Sequence, residues 1–331
     1  MTTTVKCGAT TDPGVDDAMA IFLAMTSPEL DVIGLTTIFG NVDTELATTN
    51  ALRLLEIAGR TEIPVAKGVE APLTRPFAGP VAFVHGEDGQ GNVFLPPPET
   101  KAVRETAAAF IIEQMMAQPG EITLVPIGPL TNIALALRLE PSIVRHVQEV
   151  VLMGGNALAP GNASPAAEAN ILNDPEAADI VFGAAWPVTM VGLDVTHQVH
   201  MTPEQIAQHG QAVSPMAQYI AKILPFYQSF FETAYSAWNL QGIYVHDSSA
   251  IAYLIDPTLF EVKRWPIRVE TKGLGRGKTW PAILSSSDMG HQVPAPWRDR
   301  PLVNVCVGVD GTRVVELELS RLARGGKADL G

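Results

Sequence analysis

Short apolar runs alternate with helical patterns along most of this chain, and that alternation limits the fold more than any other feature. Candidate strands are Val5–Thr11, Leu30–Thr37, Ile63–Lys67, Ile122–Pro126, Glu149–Met153 and Val188–Leu193. Candidate helices between them are Asp16–Thr26, Glu45–Ala58, Ala102–Ala117, Leu130–Leu139 and Pro175–Phe182. Repeated strand–helix units of this kind build an α/β fold with a mainly parallel sheet. The first strand is the weakest, because Lys6, Cys7 and Gly8 interrupt its apolar pattern. Helical patterning dominates from Pro203 to Ile255, followed by β-like segments at Phe260–Val269, Thr279–Leu284 and Leu302–Val309 and a last helix at Gly311–Arg324.

Such sheets bind ligands beyond the carboxyl ends of their strands. Here those ends run into Asp12, into Phe39-Gly40-Asn41, into Ile127-Gly128-Pro129-Leu130-Thr131-Asn132 and into Met153-Gly154-Gly155-Asn156, all of them turns able to line one pocket. The first is the most telling. Asp12, Asp16 and Asp17 fall within six positions around Pro13-Gly14, at a strand end, a sharp turn and a helix start. Carboxylates roughly 5 Å apart repel by about 3 kcal/mol per pair at an effective dielectric near 20. A helix N-terminus offers only about half a charge in compensation. A hard divalent cation, calcium or magnesium, suits an all-oxygen set better. Successive helical residues point about 100° apart, so one of Asp16 and Asp17 can face an ion while the other holds a ligand. The alternative is that Asp12 caps the helix and the other two decorate its first turn.

Two further stretches carry chemistry. Gly161-Asn162-Ala163-Ser164 and Glu168-Ala169-Asn170 offer the mixed donors and acceptors that a polyhydroxylated sugar requires, although Asn-rich loops are also ordinary turns. His246-Asp247 precedes an apolar helix; Asp247 can complete an oxygen cage and His246 can move a proton, or the pair is an N-cap beside an incidental histidine. His85 lies in a long Gly- and Pro-rich connection from Gly68 to Pro98, of a length typical of lids. The aromatics Phe226, Tyr227, Phe230, Phe231, Tyr235 and Trp238 form a partial helical stripe, the pattern of a core face as much as of a ligand wall.

Other motifs fail. Gly273–Thr279 lacks the first glycine of a phosphate loop, His197 and His200 are too close for a helical zinc pair, and no Gly-x-Ser-x-Gly elbow occurs. The net charge of −13 argues against a nucleic-acid partner, which needs clustered Lys and Arg. With 47% hydrophobic residues and no charge run or low-complexity tract, residues 1–331 are expected to form one domain with a large core. Two cysteines fit a reducing compartment, and neither a targeting segment nor a membrane-spanning run is evident. The expected location is cytoplasmic, with no membrane partner, and Asn162-Ala163-Ser164 then has no meaning as a glycosylation site.

Together these residues resemble the inosine–uridine-preferring nucleoside hydrolases. The opening Asp12-Pro13-Gly14-Val15-Asp16-Asp17 is similar to that family's Asp-x-Asp-Pro-Gly-x-Asp-Asp signature, and the likeness continues through Gly40-Asn41, His85-Gly86, Gly128–Asn132, Val151–Gly155, Glu168–Asn170, Asp174–Ala178 and His246-Asp247. It implies a Rossmann-like, mostly parallel central sheet flanked by helices, a bound calcium ion, a homodimer or homotetramer, and hydrolysis of ribonucleosides to free base and ribose in nucleoside salvage. Carried onto this chain, it implies Asp12, Asp17, Asp247 and the Ile127 carbonyl as calcium ligands. Asp12 is then also the base for the attacking water, and His246 the acid toward the departing base. Asp16, Asn41, Met153, Asn162, Glu168 and Asn170 would surround the ribose. His85, Phe226, Tyr227, Tyr235 and Trp238 would close over the base. One position departs from the signature: its first Asp is Thr10 here, which hydrogen-bonds but brings no charge. Two other readings therefore stand beside hydrolysis of common nucleosides: a metal-dependent nucleoside- or ribose-binding protein without turnover, and a hydrolase of a different N-riboside such as nicotinamide riboside.

Overall fold

The computed structural model describes residues 4–283 and 295–324. Eleven strands are assigned among them: β1 (Val5–Thr11), β2 (Leu30–Thr37), β3 (Val65–Lys67), β4 (Ile122–Pro126), β5 (Val147–Met153), β6 (Val188–Val191), β7 (His200–Met201), β8 (Ile243–Tyr244), β9 (Phe260–Val269), β10 (Thr279–Pro281) and β11 (Leu302–Val309). Nine form one sheet in the order β10-β9-β11-β6-β5-β4-β1-β2-β3, and β7 pairs with β8 apart from it. Every neighbouring pair from β11 to β3 is parallel; β9 runs antiparallel to both β11 and β10. The mostly parallel α/β architecture expected from the alternation is therefore present.

Within that sheet the order 3-2-1-4-5-6 reverses direction between β1 and β4, which opens a crevice beyond their carboxyl ends. Asp12 follows β1 and Ile127-Gly128 follows β4, so the acidic turn sits at this switch point. Two apolar clusters cover the two faces of the sheet. One gathers the helices Val15–Thr26 and Pro215–Ala234 with Ile251, Val314 and Val315, and the other gathers Ile111, Ile133, Val181 and Phe182.

β1, weak by pattern, is the strand at the switch point. It tolerates its irregularity through a register shift between Cys7 and Gly8 against β2. Other boundaries differ from the pattern for local reasons. The helix expected from Ala102 begins at Ala107, where the Thr106 hydroxyl caps it. β3 is only Val65–Lys67 because Pro64 precedes it, β5 starts two residues early, and β6 stops at Val191. There the Leu193 N–H bonds to the Gly155 carbonyl and starts the short helix Leu193–Thr196. The helical pattern of Pro203–Ile255 is in fact three helices, Pro203–His209, Pro215–Ala234 and Asp247–Ile255, with β8 between the last two. Leu284, the expected end of the β10 segment, lies outside the described residues. Among the described residues no helix is long and apolar enough to cross a membrane.

Candidate active site

The Asp12–Asp17 turn is held from three sides. Asp12 is fully buried; its Oδ2 accepts from the Asn41 N–H at 2.7 Å, and its Oδ1 has no partner. Its carboxylate fits between two glycines after β2 and β4. A Cβ at Gly40 would lie 2.0 Å from Oδ2 and one at Gly128 2.3 Å from Oδ1, so a side chain at either place would displace the carboxylate. Asp17 accepts from four donors: the Thr11 hydroxyl, the Asp12 N–H, the Gly14 N–H and the Asn41 amide. Asp16 points another way, as successive helical residues must. Its Oδ2 accepts from the Tyr227 hydroxyl at 2.9 Å and its Oδ1 is unpartnered.

Asp247 arrives from the opposite side, as the first residue of the helix Asp247–Ile255. Ligand atoms of Asp16, Asp17 and Asp247 lie within 4.8 Å of one another, all three residues being buried. Desolvation raises the proton affinity of all four carboxyls, Asp17 to about 6, and repulsion among them adds to the rise at Asp12, Asp17 and Asp247. Among the described residues, no lysine or arginine is a hydrogen-bond partner of these carboxylates. An oxygen-only set with two orphaned oxygens and no counter-charge fits a hard divalent cation. The cluster of three is Asp16, Asp17 and Asp247; Asp12 joins it through its charge.

A pocket opens above the cluster, enclosing about 160 Å³. Asp16, Asp247, Met153, Asn170 and the Ile127 segment form its floor, and His85, Tyr227, Phe230, Phe231, Tyr235 and His246 its wall. Glu168 lines it with both oxygens already engaged, accepting from the N–H groups of Asn170, Ile171 and Gly155. The Asn170 amide donates to the Ile127 carbonyl at 3.0 Å and to the Met153 carbonyl at 3.2 Å, tying the ends of β4 and β5 together. Asn162 is exposed at the rim, where its Oδ1 accepts from the Ala169 N–H.

His85 is buried and stacks on Tyr227 with ring centroids 5.4 Å apart. Its Nδ1 accepts from the Val15 N–H at 3.1 Å, which leaves the ring proton on Nε2. Nδ1 also lies 3.8 Å from Asp16 Oδ1, but burial pushes the ring down to about 4, so this is no salt bridge at neutral pH. The connection carrying His85 is not a free lid around this residue. Asp88 accepts from the N–H groups of Gln90, Asn92 and Phe94, the last two at positive φ, and Gln90 donates to the Pro13 and Gly14 carbonyls.

The aromatic stripe divides at the helix Pro215–Ala234. Tyr227, Phe230 and Phe231 reach the pocket, with Tyr235 just beyond the helix end, whereas Phe226, half-buried one turn earlier than Phe230, does not line it. Trp238 closes a short 3-10 turn, and its side chain lies outside the described set. Phe230 and Phe231, members of the stripe at i+3 and i+4 from Tyr227, belong to the pocket, and so does Phe83, which no pattern in the sequence singled out. Thr10, the departure from the signature, pairs its hydroxyl with that of Thr36 on β2 at 2.8 Å.

Comparison with known proteins agrees with this geometry. The family profile described as inosine-uridine preferring nucleoside hydrolase matches residues 9–316. The chain is 47% identical to a probable uridine nucleosidase 2 of Arabidopsis thaliana, covering 94% of this chain and 95% of that one. It is 46% identical to an inosine-uridine preferring nucleoside hydrolase of Leishmania major over 79% of this chain and 82% of the relative. A solved plant nucleoside hydrolase superposes with a TM-score of 0.92 at 40% identity, covering 96% of this chain and 99% of that one. The chain belongs to the inosine–uridine-preferring nucleoside hydrolase family and is an enzyme of N-glycosyl bond hydrolysis.

Proposed function

We propose that this protein cleaves uridine and related ribonucleosides to free base and ribose, with calcium as its resident cation, in nucleoside salvage. The observation that carries the reading is the cluster of buried Asp16, Asp17 and Asp247, coupled by charge to buried Asp12, of which Asp16 and Asp247 face one aromatic-walled pocket, with no lysine or arginine bonded to them among the described residues. The names of the uridine nucleosidase relatives support the choice of base.

Asp12, Asp17 and Asp247 would hold the cation together with the Ile127 carbonyl, which keeps a lone pair beyond its bond from Asn170. Bound there, calcium would offset the mutual repulsion and raise the acidity of a nearby water. Asp12 has one free oxygen and a raised proton affinity, which suits a group that takes the proton as the water oxygen bonds to the anomeric carbon. Asp16, fixed by Tyr227, accepts from a ribose hydroxyl through its free oxygen. Gripping the ring hydroxyls favours the flattened, oxocarbenium-like state as the C–N bond breaks and its electron pair leaves with the base. The rings of Phe230, Phe231 and Tyr235 offer the base an apolar face, and His246 stands on the leaving-group side.

Ribose release from uridine, inosine, cytidine and nicotinamide riboside tests this. Uridine should be cleaved, and Asp12→Asn should lose at least about 10²-fold in kcat, the range general-base catalysis supplies. Tight uridine binding without ribose release would mark a binding protein instead, and preferential cleavage of nicotinamide riboside a different N-ribosidase.

A further inference from the structure

His246 has two ring nitrogens, and only one of them can face a ligand. Its Nδ1 lies 2.8 Å from the Thr196 hydroxyl, with Thr196 fully buried and His246 nearly so. The two residues come from different parts of the fold: Thr196 ends the short helix after β6, and His246 caps the helix that begins with Asp247. Their separation is fixed by backbone. The Val245 N–H bonds to the Val199 carbonyl at 2.9 Å, and β7 pairs with β8 immediately alongside. Aromatic packing flanks the imidazole, which still lines the pocket. The His197 ring meets it edge-on at 5.5 Å, and Phe231 and Tyr244 lie tilted against it at 6.1 and 6.2 Å.

From this arrangement we infer that Thr196 is a positioning residue: its hydroxyl holds the Nδ1 edge of His246 so that Nε2 is presented to the departing base. The inference rests on the hydrolytic reading above. A hydrogen bond on one edge of a ring that is otherwise held only by van der Waals contact sets its rotation. An apolar isostere at Thr196 keeps the volume and loses that orientation. Valine replaces the hydroxyl by a methyl group, leaving Nδ1 buried and unsatisfied, which favours a rotated ring. Serine keeps the hydroxyl.

The step affected is departure of the leaving group. Uracil or hypoxanthine needs help from a hydrogen-bond or proton donor as the C–N bond breaks, whereas 4-nitrophenolate departs as a stable anion with none. Thr196→Val, Thr196→Ser and the unaltered enzyme are therefore compared on uridine and on 4-nitrophenyl β-ribofuranoside, reading kcat and KM separately. Thr196→Val should lower kcat on uridine at least about tenfold, a part of the roughly 10²–10⁴-fold that positioned acid catalysis supplies, with little change in KM. The same variant should keep nitrophenyl riboside turnover within a few-fold, and Thr196→Ser should restore uridine turnover. Equal losses on both substrates, or unchanged uridine turnover, overturn the assignment while leaving the hydrolytic reading intact. If the unaltered enzyme cleaves neither substrate, the hydrolytic reading fails and this inference with it. Should Thr196→Val not accumulate as folded protein, Thr196→Ala carries the same comparison, with nitrophenyl turnover reporting that the rest of the site is formed.

Discussion

Tyr227 donates its hydroxyl to Asp16 at 2.9 Å across 211 residues of sequence, joining the aromatic wall of the pocket to its acidic floor. Removing the hydroxyl leaves both Asp16 oxygens unpartnered in a buried site, because Oδ1 already lacks a partner. Such a loss costs about 1–3 kcal/mol. Tyr227→Phe keeps the stacking on His85, so the fold should survive while the KM for uridine rises about tenfold or more, as steady-state kinetics would show. An unchanged KM would mean that Asp16 does not hold substrate.

The glycine after β4 is required by Asp12, not by its own backbone. Gly128→Ala places a methyl carbon 2.3 Å from Asp12 Oδ1, closer than any real contact. The carboxylate must turn away or the β4 end must retreat. We expect turnover to fall at least as far as for a misplaced first contact, about 10²-fold, with a small change in melting temperature. A variant retaining full turnover would show that the free oxygen of Asp12 is not used.

Asp88 is predicted to govern the order of the His85 segment. Its carboxylate accepts from three backbone N–H groups, two of them at Asn92 and Phe94, whose positive φ values of 62° and 50° are costly outside glycine. Asp88→Ala should raise hydrogen exchange across residues 86–94 and weaken substrate binding through His85, while exchange in the sheet stays unchanged. Exchange in that segment equal to the unaltered protein would remove the anchoring role.

Much of this site was legible from the chain because its pieces are local. The Asp12–Asp17 turn, the Gly40-Asn41 and Gly128 turns and the His246-Asp247 cap are each encoded within a few residues, and a parallel sheet delivers strand ends to one edge. What could not be read was rotation about helices and contact across long separations. Nothing local distinguishes Tyr227 from Phe226 as the one facing Asp16, and the burial of His85 depends on Asp88 and Gln90 holding a glycine-rich connection. Thr196 escaped notice because its role is defined only by a residue fifty positions later. The split of Pro203–Ile255 was hidden because an apolar run such as Ile243–Val245 fits a helix or a short strand equally well.

Glu318 should make stability fall as pH rises. It is buried in the last helix, and burial pushes its carboxyl up to about 8, opposed in part by the Ser248 hydroxyl. The folded state thus holds a proton that the unfolded chain releases near its ordinary value of about 4.5. The stabilisation is complete below that ordinary value and is lost as pH rises toward 8, at up to about 1.4 kcal/mol per pH unit. Glu318→Gln removes this dependence. Denaturant titrations from pH 5 to 8 should therefore show the variant gaining on the unaltered protein with each step, and parallel curves would contradict the assignment.

The most direct measurement joins ion binding to turnover in the same samples. Chelator-treated protein is titrated with calcium by calorimetry, and uridine cleavage is followed at each addition, for the unaltered chain and for Asp247→Asn. If calcium is the resident cation, turnover vanishes on chelation and returns in proportion to an ion bound once per chain, and Asp247→Asn loses both. Full turnover in chelated protein with no ion bound would contradict the account.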